Sequence, residues 1–91
     1  MRLLEQLAAF YKCGTLSAAA EVLLISQPTL TRSMKQLEDE LGIKLFVRGK
    51  NHISLNETGI RAAEYANQVL SQAEDFEMRI KAYDRSLHTI S

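Results

Sequence analysis

The sequence predicts a mainly α fold: three short helices, a two-stranded β hairpin and one long terminal helix. Three observations carry that prediction. Apolar residues recur at helical spacing through most of the chain. Helix-capping residue types punctuate it at Gly14, Ser17, Ser26, Gly42 and Asn56. Only two short apolar runs, Leu45-Phe46-Val47 and Ile53-Ser54-Leu55, read as strands. With 91 residues, one proline and 46% apolar content, the chain fits one small folded domain rather than a disordered tail or a multidomain enzyme. A core this modest gains from a partner chain.

The first helix is expected from about Leu3 to Cys13, with Leu3, Leu4, Leu7, Ala8 and Tyr11 on one stripe. Gly14 follows it at a position suited to the left-handed conformation. Ser17 is the expected N-cap of a two-turn helix whose three alanines allow another helix to approach closely. After a break at Leu24-Ile25-Ser26, Ser26 caps a third helix with Pro28 in its first turn, where the missing N–H is harmless. Leu30, Met34, Leu37 and Leu41 form its inward stripe, Gly42 closes it and Ile43 folds back on it. The hairpin is then joined through Arg48-Gly49-Lys50-Asn51-His52. Asn56 caps the last helix, expected from Glu57 to about Leu87.

Several function classes are excluded. No apolar run approaches the ~18 residues of a membrane span, and the N-terminus lacks a signal peptide's apolar stretch. The single cysteine, Cys13, cannot form an internal disulfide and reads as a helix-end packing residue. Two distant histidines and one thiol do not make a structural zinc cluster. No nucleophile–base pair, carboxylate pair or phosphate-cradling glycine loop points to an enzyme.

Charge directs attention to the middle of the chain. Eleven basic residues balance eleven acidic ones, yet residues 1–25, 26–55 and 56–91 carry 0, +2 and −2. Two short helices joined by a tight turn make a helix-turn-helix corner. The outward face of its second helix carries Pro28, Arg32, Lys35, Gln36 and Asp39, flanked by Thr29 and Thr31. Gln27, Thr31 and Arg32 are side chains able to bond base edges or phosphates. Glu38, Asp39 and Glu40 read as an acidic block at the far end, so a duplex would lie along the N-terminal half. The bland alternative is a solvated face with a Lys35–Asp39 pair. Arg48, Lys50 and Asn51 at the hairpin tip suit a wing that grips DNA backbone or enters a minor groove; the alternative there is an ordinary polar turn, with His52 a solvated residue without a ligand role.

The last helix carries a strict seam. Gly59, Ala62, Ala66, Val69, Ala73, Phe76, Ile80, Tyr83 and Leu87 alternate steps of three and four over four heptads. A second stripe, Ile60, Ala63 and Leu70, can pack on the domain's own core. Beyond about Ala73 nothing else in the chain is long enough to cover the seam, which predicts a dimer interface of Ala62, Ala66, Val69, Ala73, Phe76, Ile80, Tyr83 and Leu87. The rival to a DNA-binding reading is a dimerising interaction module whose corner docks a protein.

The segments Leu16-Ser17-Ala18-Ala19-Ala20-Glu21, Ser26-Gln27-Pro28 through Leu37-Glu38, Leu41-Gly42-Ile43-Lys44-Leu45-Phe46-Val47-Arg48 and Leu55-Asn56-Glu57-Thr58-Gly59 resemble the LysR-type bacterial transcriptional regulators. The resemblance spans essentially the whole chain without gaps. It implies a winged helix-turn-helix over residues 1–57 and a dimerisation linker helix over 58–91, acting in the bacterial cytoplasm and on the nucleoid when bound. Gln27, Pro28, Thr29, Thr31, Arg32 and Lys35 fall on the recognition helix, which in this family enters the major groove. Arg48, Lys50 and Asn51 match the wing, while Thr15 and Ser17 match a helix start near phosphate. The implied partners are double-stranded DNA, as an interrupted palindrome, and a second copy of the chain through antiparallel linker helices.

Departures from the family pattern are also visible. Ala18, Val22 and Leu24 stand at often polar places, and Asn51 and His52 where a further arginine is common, which predicts weaker wing contacts. Family members continue into a two-lobed effector domain. The expectation is therefore a fragment that binds DNA but senses no co-inducer: no cofactor in this chain, and a small-molecule co-inducer for the effector domain.

Overall fold

The computed structural model describes residues 2–50 and 52–89. Its elements follow the order α1 (Arg2–Cys13), α2 (Leu16–Leu23), α3 (Gln27–Leu41), β1 (Phe46–Gly49), β2 (His52–Leu55) and α4 (Glu57–Thr89). The mainly helical class with a two-stranded wing and a long final helix is what the sequence predicts. Asn51, expected in the wing, lies outside the described residues.

Caps fix most of the boundaries. Gly14 takes a φ of +84° and its N–H closes α1 on the Phe10 carbonyl at 2.9 Å. The N-cap of α2 is Thr15, not Ser17: the Thr15 hydroxyl accepts the Ala18 N–H at 3.1 Å. Starting there brings Leu16 into the helix, so that Leu16, Ala19, Ala20 and Leu23 share the inward side. Ser26 caps α3 as expected, accepting the Thr29 N–H at 3.2 Å. Gly42 ends that helix with a φ of +70°, its N–H and that of Ile43 both bonding the Glu38 carbonyl.

The core gathers Leu7 and Phe10 of α1, Ala19 and Ala20 of α2, Leu30, Met34 and Leu37 of α3, Leu45 and Phe46, and Ala63 and Ala66 of α4. Two stripe assignments need correction. Tyr11 is exposed and Phe10 takes the buried place, because the core lies on the Leu3–Leu7–Phe10 side of α1, where Phe10 meets Phe46 edge-on at 5.5 Å. Leu41 is exposed as well; on the last turns of α3 the inward place belongs to Glu38, only 4% exposed. The Ile43 side chain stays exposed although its backbone folds back.

Glu38 is buried for a definite reason. Its Oε2 accepts the N–H groups of Leu45 at 2.8 Å and Phe46 at 3.2 Å. On the other side of the same segment, the Asn56 side-chain amide donates to the Lys44 carbonyl at 3.1 Å and the Asn56 N–H to the Leu45 carbonyl at 2.9 Å. Asn56 also caps α4, its Oδ1 accepting the Gly59 N–H at 2.7 Å. The hairpin that follows is tighter than expected. Its antiparallel register pairs Phe46 with Leu55, Arg48 with Ile53 and Gly49 with His52, so only positions 50 and 51 connect the strands.

The first turns of α4 are packed into the core. Ala63 and Ala66 are buried, Ala62 is partly so, and a Cβ on Gly59 would overlap the Leu45 carbonyl oxygen. Ala66, expected on a dimer seam, is thus covered by its own chain. Of the second stripe, Ala63 packs fully while Ile60 remains 40% exposed. The rest of α4 projects from the body, giving extents of 64 × 25 × 19 Å.

Two stability outcomes are expected. Glu38→Ala leaves two buried N–H groups unpaired and should lower unfolding stability by about 2–5 kcal/mol, while Glu38→Gln, which keeps a carbonyl acceptor, should lose less than half as much. Equal losses in denaturant titrations would mean that the N–H acceptor is not what matters at position 38. Gly59→Ala should destabilise by about 1–3 kcal/mol, since the neighbour it meets is backbone and cannot rotate away. A neutral effect on the melting curve would show that α4 docks less closely than described.

Candidate nucleic-acid interface

The α2–α3 corner is set by small residues and one unusual backbone position. Ala19 and Ala20 are buried, which brings the two helices close. Leu24 takes the left-handed conformation at φ +59°, uncommon without glycine, and its N–H bonds back to the Glu21 carbonyl at 3.2 Å. Ile25 then tucks partly into the core and Ser26 starts α3. The first two turns of α3 consequently face outward beside the start of α2.

Between these two helix starts and the wing lies an open cleft of about 520 Å³. Thr15 and Ser17 of α2, Gln27 and Thr31 of α3, and Arg48 and His52 of the wing line it. Five of these six are residues that the sequence nominates, and three separate elements bring them to one place. His52 is the residue that sequence reasoning set aside. What put it here is the tight register, which makes it a strand residue opposite Gly49 rather than part of a long turn.

The other nominated residues sit around the cleft rather than in it. Pro28 is exposed in the first turn of α3. The Thr29 hydroxyl is engaged, 2.8 Å from the Ser26 hydroxyl, and the residue is half-buried. Arg32 is exposed, and among the described residues no carboxylate pairs with it. Lys35 stands a turn further on, 3.4 Å from Asp39 in an exposed i,i+4 pair. Lys50 is exposed at the hairpin turn.

The electrostatics sharpen this arrangement. Among the described residues no carboxylate lines the cleft, and Arg48 contributes a permanent positive charge. At the distant end of α3 the acidic block is smaller than it reads in sequence, because Glu38 points inward. Asp39 is paired with Lys35 and Glu40 accepts from Gln36 Nε2 at 3.3 Å. An anionic polymer laid along the first turns of α3 would meet amide, hydroxyl and guanidinium groups and avoid these acids.

The exposed half of α4 forms a second surface. Val69, Phe76, Ile80, Tyr83 and Leu87 are each at least 40% exposed, with Ala73 half-buried. Ion pairs Asp75–Arg79 and Glu77–Lys81 run alongside, and His88 Nε2 lies 3.3 Å from an Asp84 carboxylate oxygen. The Lys81 ammonium, hydrogen-bonded to Glu77, holds that carboxyl below its ordinary range. None of the helices described is long and apolar enough to cross a membrane.

A capped two-helix corner with an exposed second helix and a flanking hairpin is a winged helix-turn-helix. The chain belongs to the lysR family of bacterial regulatory helix-turn-helix proteins, whose family profile matches residues 1–60. Among its relatives is the HTH-type transcriptional regulator YtlI of Bacillus subtilis (strain 168), 39% identical over 74 residues that make up 81% of this chain and 24% of that protein. The chain spans about a quarter of the length of the curated relatives it matches. Of the solved structures, the CbnR DBD in complex with DNA has a TM-score of 0.84 at 35% identity, covering 91% of this chain and 95% of that one. The BenM DBD bound to catB site 1 DNA has a TM-score of 0.86 at 30% identity, covering 99% and 97%.

Proposed function

We propose that this chain binds double-stranded DNA sequence-specifically, as a dimer, and is the DNA-reading part of a transcriptional regulator. The observation that carries the reading is the convergence of Thr15, Ser17, Gln27, Thr31 and Arg48 from two helices and a wing on one acid-free cleft. The DNA complexes of the similar CbnR and BenM domains support the same reading. In it, the first turns of α3 enter the major groove, where Gln27, Thr31 and Arg32 reach base edges. Thr15, Ser17, Arg48 and Lys50 hold the backbone and Lys35 adds a long-range attraction. Asn51 belongs to the same wing by its place in the sequence.

The exposed seam from Val69 to Leu87 supports the dimer, because no described part of the chain covers it. Pairing two such helices places two recognition helices on one duplex, which calls for an interrupted palindrome. The chain itself requires no cofactor on this reading; a co-inducer would act on an effector domain outside residues 1–91. Its place of action is the bacterial cytoplasm. A competition gel shift tests the reading against a protein-docking corner: a specific duplex selected from a random pool should displace the probe at far lower concentration than random duplex.

Arg32→Ala should cost about 1–3 kcal/mol on the selected site and flatten the preference among sites, as expected when a guanidinium reads a guanine edge. Equal loss on selected and random duplex would reassign Arg32 to phosphate. Phe76→Asp and Ile80→Asp each place a carboxylate in an apolar seam where it cannot be solvated or paired. Both variants should be monomeric by light scattering and lose far more affinity for a palindrome than for a single half-site. Dimers that persist with palindrome binding intact would remove α4 from the interface.

A further inference from the structure

We propose that His52 belongs to the DNA-contact surface, where its imidazolium meets a backbone phosphate and makes the wing's grip depend on pH. The proposal rests on the DNA-binding reading above. His52 is exposed and lines the cleft together with Thr15, Gln27 and Thr31, so whatever enters beside the first turns of α3 also reaches the imidazole.

The ring is held at the wing's edge by a bare stretch of backbone. His52 pairs with Gly49 across the hairpin, and a Cβ built on Gly49 would come within 2.8 Å of the His52 Cε1 and 3.1 Å of its Nδ1. The imidazole therefore occupies the space that a side chain at 49 would take.

Among the described residues that line the cleft, none carries a negative charge to meet an imidazolium. The cleft walls contributed by α2 and α3 present hydroxyl and amide groups from Thr15, Ser17, Gln27 and Thr31. From the hairpin itself, Arg48 lines the same cleft, and Lys50 stands at the turn; both are cations. A duplex brings the missing negative charge in its phosphates. Histidine gains and loses its proton between about pH 5 and 8, within reach of small environmental changes. If the bound state favours the imidazolium, complex formation takes up a proton, and affinity must rise as pH falls.

The chain's other histidine provides a control. His88 lies near the far end of α4, 3.3 Å from Asp84 and remote from the wing. DNA affinity is measured by fluorescence anisotropy on a selected duplex and on a random duplex at about pH 6 and about pH 8, across a salt series. The wild-type chain should bind about three- to tenfold more tightly at the lower pH, with a salt slope steeper by roughly one unit there. His52→Gln should lose both effects, His88→Gln should retain them, and His52→Arg should show the steep slope at either pH. An unchanged pH difference in His52→Gln, or none in the wild type, overturns the proposal while leaving DNA binding intact. Failure of the wild-type chain to bind duplex at either pH overturns the DNA-binding reading, and this proposal with it.

Discussion

The segment Lys44–Phe46 is the point on which the rest of this structure depends. It leaves α3, enters the core at Leu45 and opens the wing, so the N–H groups of Leu45 and Phe46 are withdrawn from water without a long sheet to pair them. The fold meets that demand from both sides. Glu38 takes the N–H groups of Leu45 and Phe46, and Asn56 takes the carbonyls of Lys44 and Leu45. With its backbone satisfied, Leu45 is fully buried and Phe46 packs its ring against Phe10. One acid on α3 and one amide at the start of α4 thereby fix the wing to both neighbours.

This clamp has a functional consequence. Glu38 lies on the inner side of the same helix that exposes Gln27, Thr31 and Arg32 on its outer side. The wing is indexed directly to that helix, because one carboxylate oxygen accepts two adjacent N–H groups. The cleft between α3 and the wing thus lies between two elements joined through a buried side chain. Arg48 and Gln27 line that cleft from its two sides.

The sequence makes some of this legible because certain signals are local. Ser26, Gly42 and Asn56 cap helices through their own neighbours, and a reader needs only a few residues of context to see it. Thr15 and Ser17 both suit an N-cap, and the choice between them depends on which start buries Leu16. Phe10 displaces Tyr11 from the core because Phe46, thirty-six positions later, lies on that side of α1. Glu38 was hidden for another reason: it sits in a run of three acids and reads as surface. Its spacing, eight residues from Leu30 and four from Met34, was the available signal that it shares the inward stripe. Composition argues for exposure there and periodicity for burial, and the two unpaired N–H groups of the next segment decide the matter.

The long seam of α4 shows how a single pattern can serve two surfaces. Its residues keep a period of 3.5, whereas a straight α-helix turns once in 3.6 residues, so the seam drifts by about 20° per heptad. Over the four heptads from Gly59 to Leu87 that amounts to roughly 80°, enough to carry it from one side of the helix to the next. At its start the seam faces the domain: Gly59 meets the Leu45 carbonyl, and Ala62 and Ala66 pack beneath it. Small residues are required there because backbone lies opposite. Past Val69 the helix has left the body, and the same seam, now made of Phe76, Ile80, Tyr83 and Leu87, meets no other surface among the described residues. The change from small to large residues therefore marks where the seam passes from packing on the chain's own body to exposure. A stripe of that size left in water would be an aggregation hazard in a lone chain, and a regular heptad spacing is what a second helix needs in order to cover it.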